Sequence, residues 1–173
     1  KNNINILAIT DHDDIEGSKK LIELAPKDII VYSGVELNAK VEKGQMHILG
    51  YNIDLYNEDI NNRLKELKEH SKSNIMLYVE QLKNDFNIIL PEDDINELLN
   101  KQGNIGRPQL ALLLIKHGHV ETVKEAFDKY LKDDKVRKIK FWIEKEECIK
   151  LIQNAGGIPV LAHPFTLKLT NEE

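Results

Sequence analysis

Short apolar segments rich in β-branched residues lie near both ends of the chain and enclose a long segment of helical pattern. INILAIT at 4–10, DIIVY at 28–32 and IPVLA at 158–162 are typical of buried parallel strands. A further strand is predicted over 45–53, where polar and apolar residues share the segment. This order indicates an α/β layer or barrel into which a helical block is inserted.

Helical patterns occupy most of the remaining chain. One helix is predicted over 16–25 with Asp14 as its cap, and another over 144–155 that ends at two glycines. Between about 57 and 130 the pattern is helical, with no convincing strand. We therefore predict three segments, of which the middle one is suited to close a substrate pocket. They are the first part of an α/β barrel at 1–56, a helical insertion subdomain at 57–140 and the continued barrel at 141–173.

Composition restricts the class of function. The 173 residues carry 24 Lys and Arg against 29 Asp and Glu, a net charge of −5. This acidic balance argues against a general polyanion binder, so strong binding to duplex nucleic acid is not expected. One cysteine, Cys148, excludes an internal disulfide framework and fits a reducing compartment. No apolar run approaches the roughly 18 residues of a membrane span, and a cytoplasmic globular protein is expected. Because neither end resembles a natural terminus, we interpret the chain as a piece of a longer protein.

Four side chains that can bind metal lie at or beside the predicted strands. His12 follows the first strand, Glu36 the second and His163 the last, while His47 lies within the segment 45–53. If the strands that precede His12, Glu36 and His163 are parallel, their carboxyl ends share the rim where α/β barrels build active sites. Imidazole and carboxylate without thiolate suit a hydrolytic site for Mn, Fe or Zn. Spacing alone leaves open a metal site and a set of unrelated structural side chains.

The residues around these four positions form motifs in a definite order. They are Ile9-Thr10-Asp11-His12-Asp13, Gly34-Val35-Glu36, His47-Ile48-Leu49-Gly50-Tyr51 and Leu161-Ala162-His163-Pro164. Their order and spacing resemble the PHP (polymerase and histidinol phosphatase) family. More narrowly, three segments resemble small PHP phosphoesterases that act on nucleoside 3′,5′-bisphosphates and RNA 5′ ends. These are Ile105-Gly106-Arg107-Pro108, Ala126-Phe127-Asp128-Lys129-Tyr130-Leu131 and Ala155-Gly156-Gly157.

The resemblance implies a partial, distorted (β/α)7 TIM-like barrel with a metal cluster at its strand ends. It implies two or three divalent ions, Mn first with Fe or Zn as alternatives, and Glu36 bridging two of them. The implied metal ligands are His12, Glu36, His47 and His163. Asp11 is implied as the partner that orients a ligand, so the catalytic set is Glu36, His12 and Asp11. A metal-activated water then attacks the phosphate, and no side-chain nucleophile is required.

Candidate substrate-binding residues lie in the helical block. Arg107 is predicted to hold a phosphate, since guanidinium donates two parallel hydrogen bonds, although an Arg at a helix start also pairs with surface carboxylates. Gln109 stands where the family usually has His, which affects substrate preference. Lys135 belongs to a basic cluster, for which a second phosphate and a solvated surface are both open interpretations. The family's opening His-x-His and closing Asp-x-His motifs are absent from the 173 residues.

The sequence therefore predicts a metal-dependent phosphoesterase that hydrolyses a phosphate monoester of a nucleotide-like substrate. The partner is a small phosphorylated molecule, either a 3′,5′-bisphosphonucleoside or the 5′ end of a short RNA, with no membrane involved. The alternatives are histidinol-phosphatase-like activity, or an incomplete or non-catalytic PHP module of a larger protein. An amide hydrolase is a minor alternative. No oligomeric state is predicted.

Overall fold

The structure, a computed structural model, describes residues 4–101, 103, 105–132 and 141–167. The chain divides into two compact units, which we describe one at a time. The first comprises Lys1–Glu66 with Trp142–Glu173, and the second comprises Leu67–Phe141. The domain boundaries predicted from the sequence stay a prediction.

Five strands and two whole helices build the first unit. The strands are β1 (Ile6–Ala8), β2 (Ile30–Tyr32), β3 (Gly34–Ala39), β4 (Met46–Tyr51) and β5 (Ile158–Leu161). The helices are α1 (Glu16–Leu24) and α6 (Lys145–Asn154), and a short 3-10 helix covers Pro164–Leu167. β1 and β2 pair in parallel, whereas β4 pairs antiparallel with both β3 and β5.

The mixed α/β class predicted from the sequence is confirmed, but the closed barrel is not observed. Among the described residues the strands form one two-stranded sheet and one three-stranded sheet of order β3-β4-β5. The only pairing between the two that the structure describes is an isolated parallel bridge from His12 to Glu36. Five strands in two short sheets do not close on themselves, so the described part of the chain shows no barrel.

The predicted position of Glu36 relative to the strands is wrong. We expected Glu36 to lie just beyond the strand 28–32, but the chain starts a new strand at Gly34 and Glu36 is its third residue. The change of sheet occurs at Ser33, whose hydroxyl donates to the Ile53 carbonyl at 2.6 Å. The Gly34 N–H then donates to the Ser18 hydroxyl of α1 at 2.9 Å. These two side-chain bonds separate β2 from β3.

The core of the first unit lies on one face of the three-stranded sheet. Along β3, Val35, Leu37 and Ala39 are buried, whereas Glu36 and Asn38 are only partly buried, as the period of two in a strand requires. Helix α6 covers the buried face, because a side chain added at Gly50 of β4 would meet Ile152 at 2.9 Å. The opposite face of β3 is therefore the one that carries polar side chains.

The second unit is built from helices alone within its described residues. Helix α2 (Glu58–Phe86) starts in the first unit and continues into the second, where α3 (Glu92–Asn100), α4 (Arg107–Lys116) and α5 (Val123–Lys129) follow. The predicted helical character of this block is thus confirmed. Its core contains apolar residues of all four helices. The most deeply buried are Ile75, Leu82, Leu110, Ala111, Leu114, Ala126 and Leu131. None of the described helices is both long enough and apolar enough to cross a membrane.

Cys148 lies on α6 and is fully buried in the core of the first unit. Burial raises the pKa of its thiol to about 12, and the neighbouring carboxylates of Asp13 and Glu147 add to the shift. Because the thiolate is the reactive form, this cysteine is a packing residue and not a nucleophile.

We predict that native Cys148 resists maleimide at neutral pH and reacts fully in denaturant, as peptide mass mapping will measure. A Lys150→Cys variant is the matched control, since that position is exposed on the same helix, and it should react at once. Rapid labelling of Cys148 in the folded protein would contradict the packing described here.

Candidate metal centre

Three histidine side chains converge on one carboxylate, that of Glu36. His47 Nδ1 lies 2.9 Å and His163 Nε2 lies 3.2 Å from Glu36 Oε1, while His12 Nε2 lies 3.6 Å from Oε2. The two ring nitrogens of His47 and His163 are themselves 3.0 Å apart. The structure therefore brings together all four residues that the resemblance implies as metal ligands.

The strand register places Glu36 and His47 on the same face of the sheet. Glu36 is opposite Leu49 and Asn38 is opposite His47, so Glu36 and His47 are diagonal neighbours across the antiparallel pair. The sequence pattern predicted His47 and Leu49 on one face of this strand. This face is opposite to the buried one that holds Ile48 and Gly50. The polar pair thus lies away from the apolar core.

Backbone hydrogen bonds place His12 beside Glu36. The Glu36 N–H donates to the Asp11 carbonyl at 2.9 Å, and the Asp13 N–H donates to the Glu36 carbonyl at 2.8 Å. The segment before them passes so close to Gly34 that an added Cβ would lie 2.6 Å from the Ile9 carbonyl oxygen. Glycine at position 34 therefore permits the approach that sets His12 against Glu36.

His163 reaches the cluster through an unusual backbone conformation. The Ala162 N–H donates to the His47 carbonyl at 2.9 Å, which extends the pairing of β5 with β4 by one residue. His163 then adopts a φ of 25°, in the left-handed region that residues with a Cβ rarely occupy. This turn directs its ring towards Glu36 and not along the strand. Strain of this kind is frequent at functional sites.

Asp13 and Asn38 support the cluster, and the sequence reasoning gave neither a role. The Asp13 carboxylate accepts hydrogen bonds from the Asn38 backbone N–H at 3.1 Å and from its side-chain amide at 2.5 Å. Burial raises the pKa of Asp13, while the bonds from Asn38 act in the opposite direction. Asp13 has a φ of 49°. The aspartate after Thr10-Asp11-His12 was visible in the sequence, but its partner lies 25 residues away.

The four side chains of the cluster differ in how far they are exposed to solvent. The exposed fractions of the side chains are 13% for Glu36, 14% for His47, 34% for His163 and 50% for His12. Burial lowers the pKa of His47, and repulsion from His12 adds to the shift, although Glu36 opposes it. A neutral His47 offers a lone pair to a cation. The cluster is open to solvent on the His12 side.

The chemistry of the donor set fits a divalent metal ion. One ligand atom each from His12, Glu36 and His47 lie within 4.8 Å of one another, a spacing that a single ion can bridge. His163 Nε2 lies in the same space, next to Glu36 Oε1. Imidazole nitrogens with a carboxylate oxygen are ligands for Mn, Fe or Zn, and no thiolate contributes.

The other predicted site residues have different surroundings. Asp11 contributes its backbone carbonyl as described, and its carboxylate lies against Gly17 of α1, where an added Cβ would lie 2.0 Å from Oδ2. In the second unit, Arg107 donates to the Leu131 carbonyl at 3.2 Å and lies over the Phe127 ring at 5.3 Å. Gln109 Oε1 accepts from the Gly106 N–H at the start of α4. Lys135 lies outside the described residues.

Comparisons with known proteins support the resemblance. The chain is 30% identical over 165 residues to the 5′-3′ exoribonuclease Rnm of Salmonella typhimurium and covers 93% of itself and 56% of that protein. It is 27% identical over 161 residues to a 3′,5′-nucleoside bisphosphate phosphatase of Chromobacterium violaceum, covering 92% of itself and 56% of the phosphatase. No family model matches the chain.

A solved structure agrees with these relatives. An amidohydrolase from Chromobacterium violaceum, with bound sulfate and no metal, superposes with a TM-score of 0.79 at 26% identity. The match covers 97% of this chain and 60% of that one. The chain is therefore similar to proteins named as exoribonuclease, nucleoside bisphosphate phosphatase and amidohydrolase, and the predicted resemblance to hydrolytic phosphoesterases of the PHP type is confirmed. It spans 56–61% of the length of the curated relatives it matches.

We predict that His163→Ala in the full-length protein weakens Mn²⁺ binding at least about tenfold, since loss of even an outer partner of a metal ligand costs 10–100-fold. The fold should persist, because the His163 side chain is one-third exposed and its loss leaves no cavity in the core. Equilibrium dialysis gives the affinity and circular dichroism the fold. His119→Ala is the matched control, and loss of secondary structure in His163→Ala would contradict a ligand role.

Proposed function

We propose that the protein containing this chain is a metal-dependent phosphoesterase that removes a phosphate from a nucleotide-like substrate. The observation that carries the proposal is the convergence of His12, His47 and His163 on the Glu36 carboxylate. The best substrates are a 3′,5′-bisphosphonucleoside or the 5′ end of a short RNA. Relatives named as a nucleoside bisphosphate phosphatase and as exoribonucleases support this substrate class.

The residues of the cluster have distinct roles in this proposal. Glu36 is central and would hold the ions with its carboxylate, while His47 and His163 would supply nitrogen lone pairs from the inner side. His12 lies on the solvent side, where substrate enters. Asp11 orients the segment that carries His12. Two or three divalent ions, with Mn²⁺ preferred, polarise the phosphate and lower the pKa of a bound water when they are present.

The finer fold assignment belongs to the same proposal. We infer that β1 to β5 are part of the distorted (β/α)7 barrel of the PHP family. The relatives are longer than this chain, which leaves room for further strands and further metal ligands in the whole protein. The cytoplasmic location stays a prediction.

Arg107, Gln109 and Lys135 remain proposed substrate-binding residues. The guanidinium of Arg107 is suited to a phosphate. Arg107 is also the first residue of α4, and the positive end of the helix dipole at that position favours a bound anion. Gln109 bonds the Gly106 N–H and so stabilises the same helix start. The resemblance in Ile105-Gly106-Arg107-Pro108 supports this proposal.

A substrate panel tests the assignment. With Mn²⁺, the full-length protein should release phosphate from adenosine 3′,5′-bisphosphate and from a 5′-phosphorylated trinucleotide much faster than from histidinol phosphate. Glu36→Gln should lower the rate at least about 100-fold, since it removes the carboxylate on which the histidines converge. Glu23→Gln, an exposed carboxylate on α1, is the matched control and should keep full activity.

Two outcomes of this panel would contradict the proposal. Hydrolysis of histidinol phosphate without release from either nucleotide would assign the substrate to the other branch of the family. Full activity in Glu36→Gln would remove the cluster from the chemistry.

A further inference from the structure

Thr166 makes several contacts from one position in the 3-10 helix behind His163. Its hydroxyl oxygen lies 3.0 Å from His163 Nδ1, 2.9 Å from the His163 carbonyl and 2.9 Å from the Gln45 carbonyl. Its backbone joins the same partners, since its N–H donates to the His163 carbonyl and its carbonyl accepts from the Gln45 N–H, both at 3.0 Å. Thr166 thus ties His163 to the residue that precedes β4.

The hydrogens in this group can be counted. A hydroxyl has one hydrogen to donate, and both carbonyl neighbours of Thr166 Oγ1 can only accept. Whichever carbonyl takes that hydrogen, a lone pair of Oγ1 remains for His163 Nδ1. In the neutral ring Nδ1 must then carry the hydrogen and donate it to Thr166. If the hydroxyl donated to Nδ1 instead, two carbonyl oxygens would face oxygen lone pairs at 2.9 Å without a hydrogen between them.

This arrangement also determines that the other ring nitrogen, Nε2, carries no hydrogen in the neutral ring. With the hydrogen on Nδ1, His163 Nε2 bears a lone pair. It lies 3.0 Å from His47 Nδ1, which can donate a hydrogen to it, and 3.2 Å from Glu36 Oε1, which only accepts and which a shared cation would join to it. A metal-binding histidine generally donates its second N–H to a neighbouring oxygen, which holds both the ring form and its orientation.

We propose that Thr166 is a positioning residue for the metal centre, which holds His163 with Nδ1 protonated and Nε2 directed at Glu36. The inference rests on the proposed function, because it gives a role to one ligand of that same centre. Through Gln45, Thr166 also sets the spacing between His163 and the start of the strand that carries His47. His163 has a strained, left-handed backbone, and a strained residue needs surrounding contacts to persist. The hydrogen bonds of Thr166 supply such contacts.

The direct test is the ring form of His163 in the full-length, metal-free protein, read from long-range 15N–1H NMR correlations. We expect hydrogen on Nδ1 in the wild type and in Thr166→Ser, which keeps the hydroxyl. Thr166→Val has nearly the same shape without the hydroxyl, and in it the Nδ1–H form should lose its dominance. A wild-type ring with its hydrogen on Nε2 would overturn the proposal whether or not any variant folds.

Mn²⁺ affinity gives the second readout. We expect Thr166→Val to bind Mn²⁺ about 10–100-fold more weakly and Thr166→Ser to remain close to the wild type. Thr122→Val is the matched control, because its hydroxyl accepts from the Glu125 N–H at the start of α5. This control should lose thermal stability but keep its Mn²⁺ affinity.

Two affinity results would overturn the inference. They are an unchanged affinity in Thr166→Val, and an affinity in Thr166→Ser as low as in Thr166→Val. A wild-type protein that binds no Mn²⁺ would instead contradict the proposed function, and the NMR experiment would still decide the ring form of His163.

Discussion

The carboxylate of Glu36 is the group on which the polar side of the first unit depends. Its side chain is only 13% exposed, and a carboxylate withdrawn from water needs partners of opposite charge or hydrogen-bond donors. Three imidazoles from distant parts of the chain surround it, at sequence separations of 24, 11 and 127 residues. A cation shared by these groups would satisfy the carboxylate and the ring lone pairs together.

The alternation of β3 makes this arrangement compatible with a stable fold. Val35, Leu37 and Ala39 face the core beneath α6, so the strand is held by apolar packing on one side. Glu36 and Asn38 necessarily lie on the other side, where the first meets the histidines and the second bonds Asp13. The same residues that build the core therefore fix the position of the proposed metal ligands.

Much of this organisation could be predicted from local sequence. The apolar runs indicated β1, β2 and β5, the period of two placed His47 on its face of β4, and the helical spacing indicated α2 to α5. The order of the motifs then related the four proposed ligands to one family. The position of Glu36 inside β3 could not be predicted, because the break between β2 and β3 depends on bonds from Ser33 to Ile53 and from Gly34 to Ser18. Those partners are separated in sequence by 16 to 20 residues.

The residues that hold the proposed ligands in place could not be predicted from local sequence patterns either. Asp13 meets Asn38, and Thr166 meets Gln45, only after the strands have paired. The left-handed turn at His163 has no signature in the residues Leu161-Ala162-His163-Pro164, since histidine is not a residue that a turn of this kind requires. Sequence singled out the side chains that we propose as metal ligands, whereas tertiary structure determines how their rings are held.

The central claim is that Glu36 and its histidines hold a catalytic metal, and anomalous diffraction from Mn²⁺-loaded crystals of the full-length protein tests it most directly. We predict an anomalous peak about 2.0–2.3 Å from a Glu36 carboxylate oxygen and from the nitrogens of at least two of the three histidines. Manganese bound only elsewhere in a fully active protein, with Glu36 and the histidines in contact with one another alone, would contradict it.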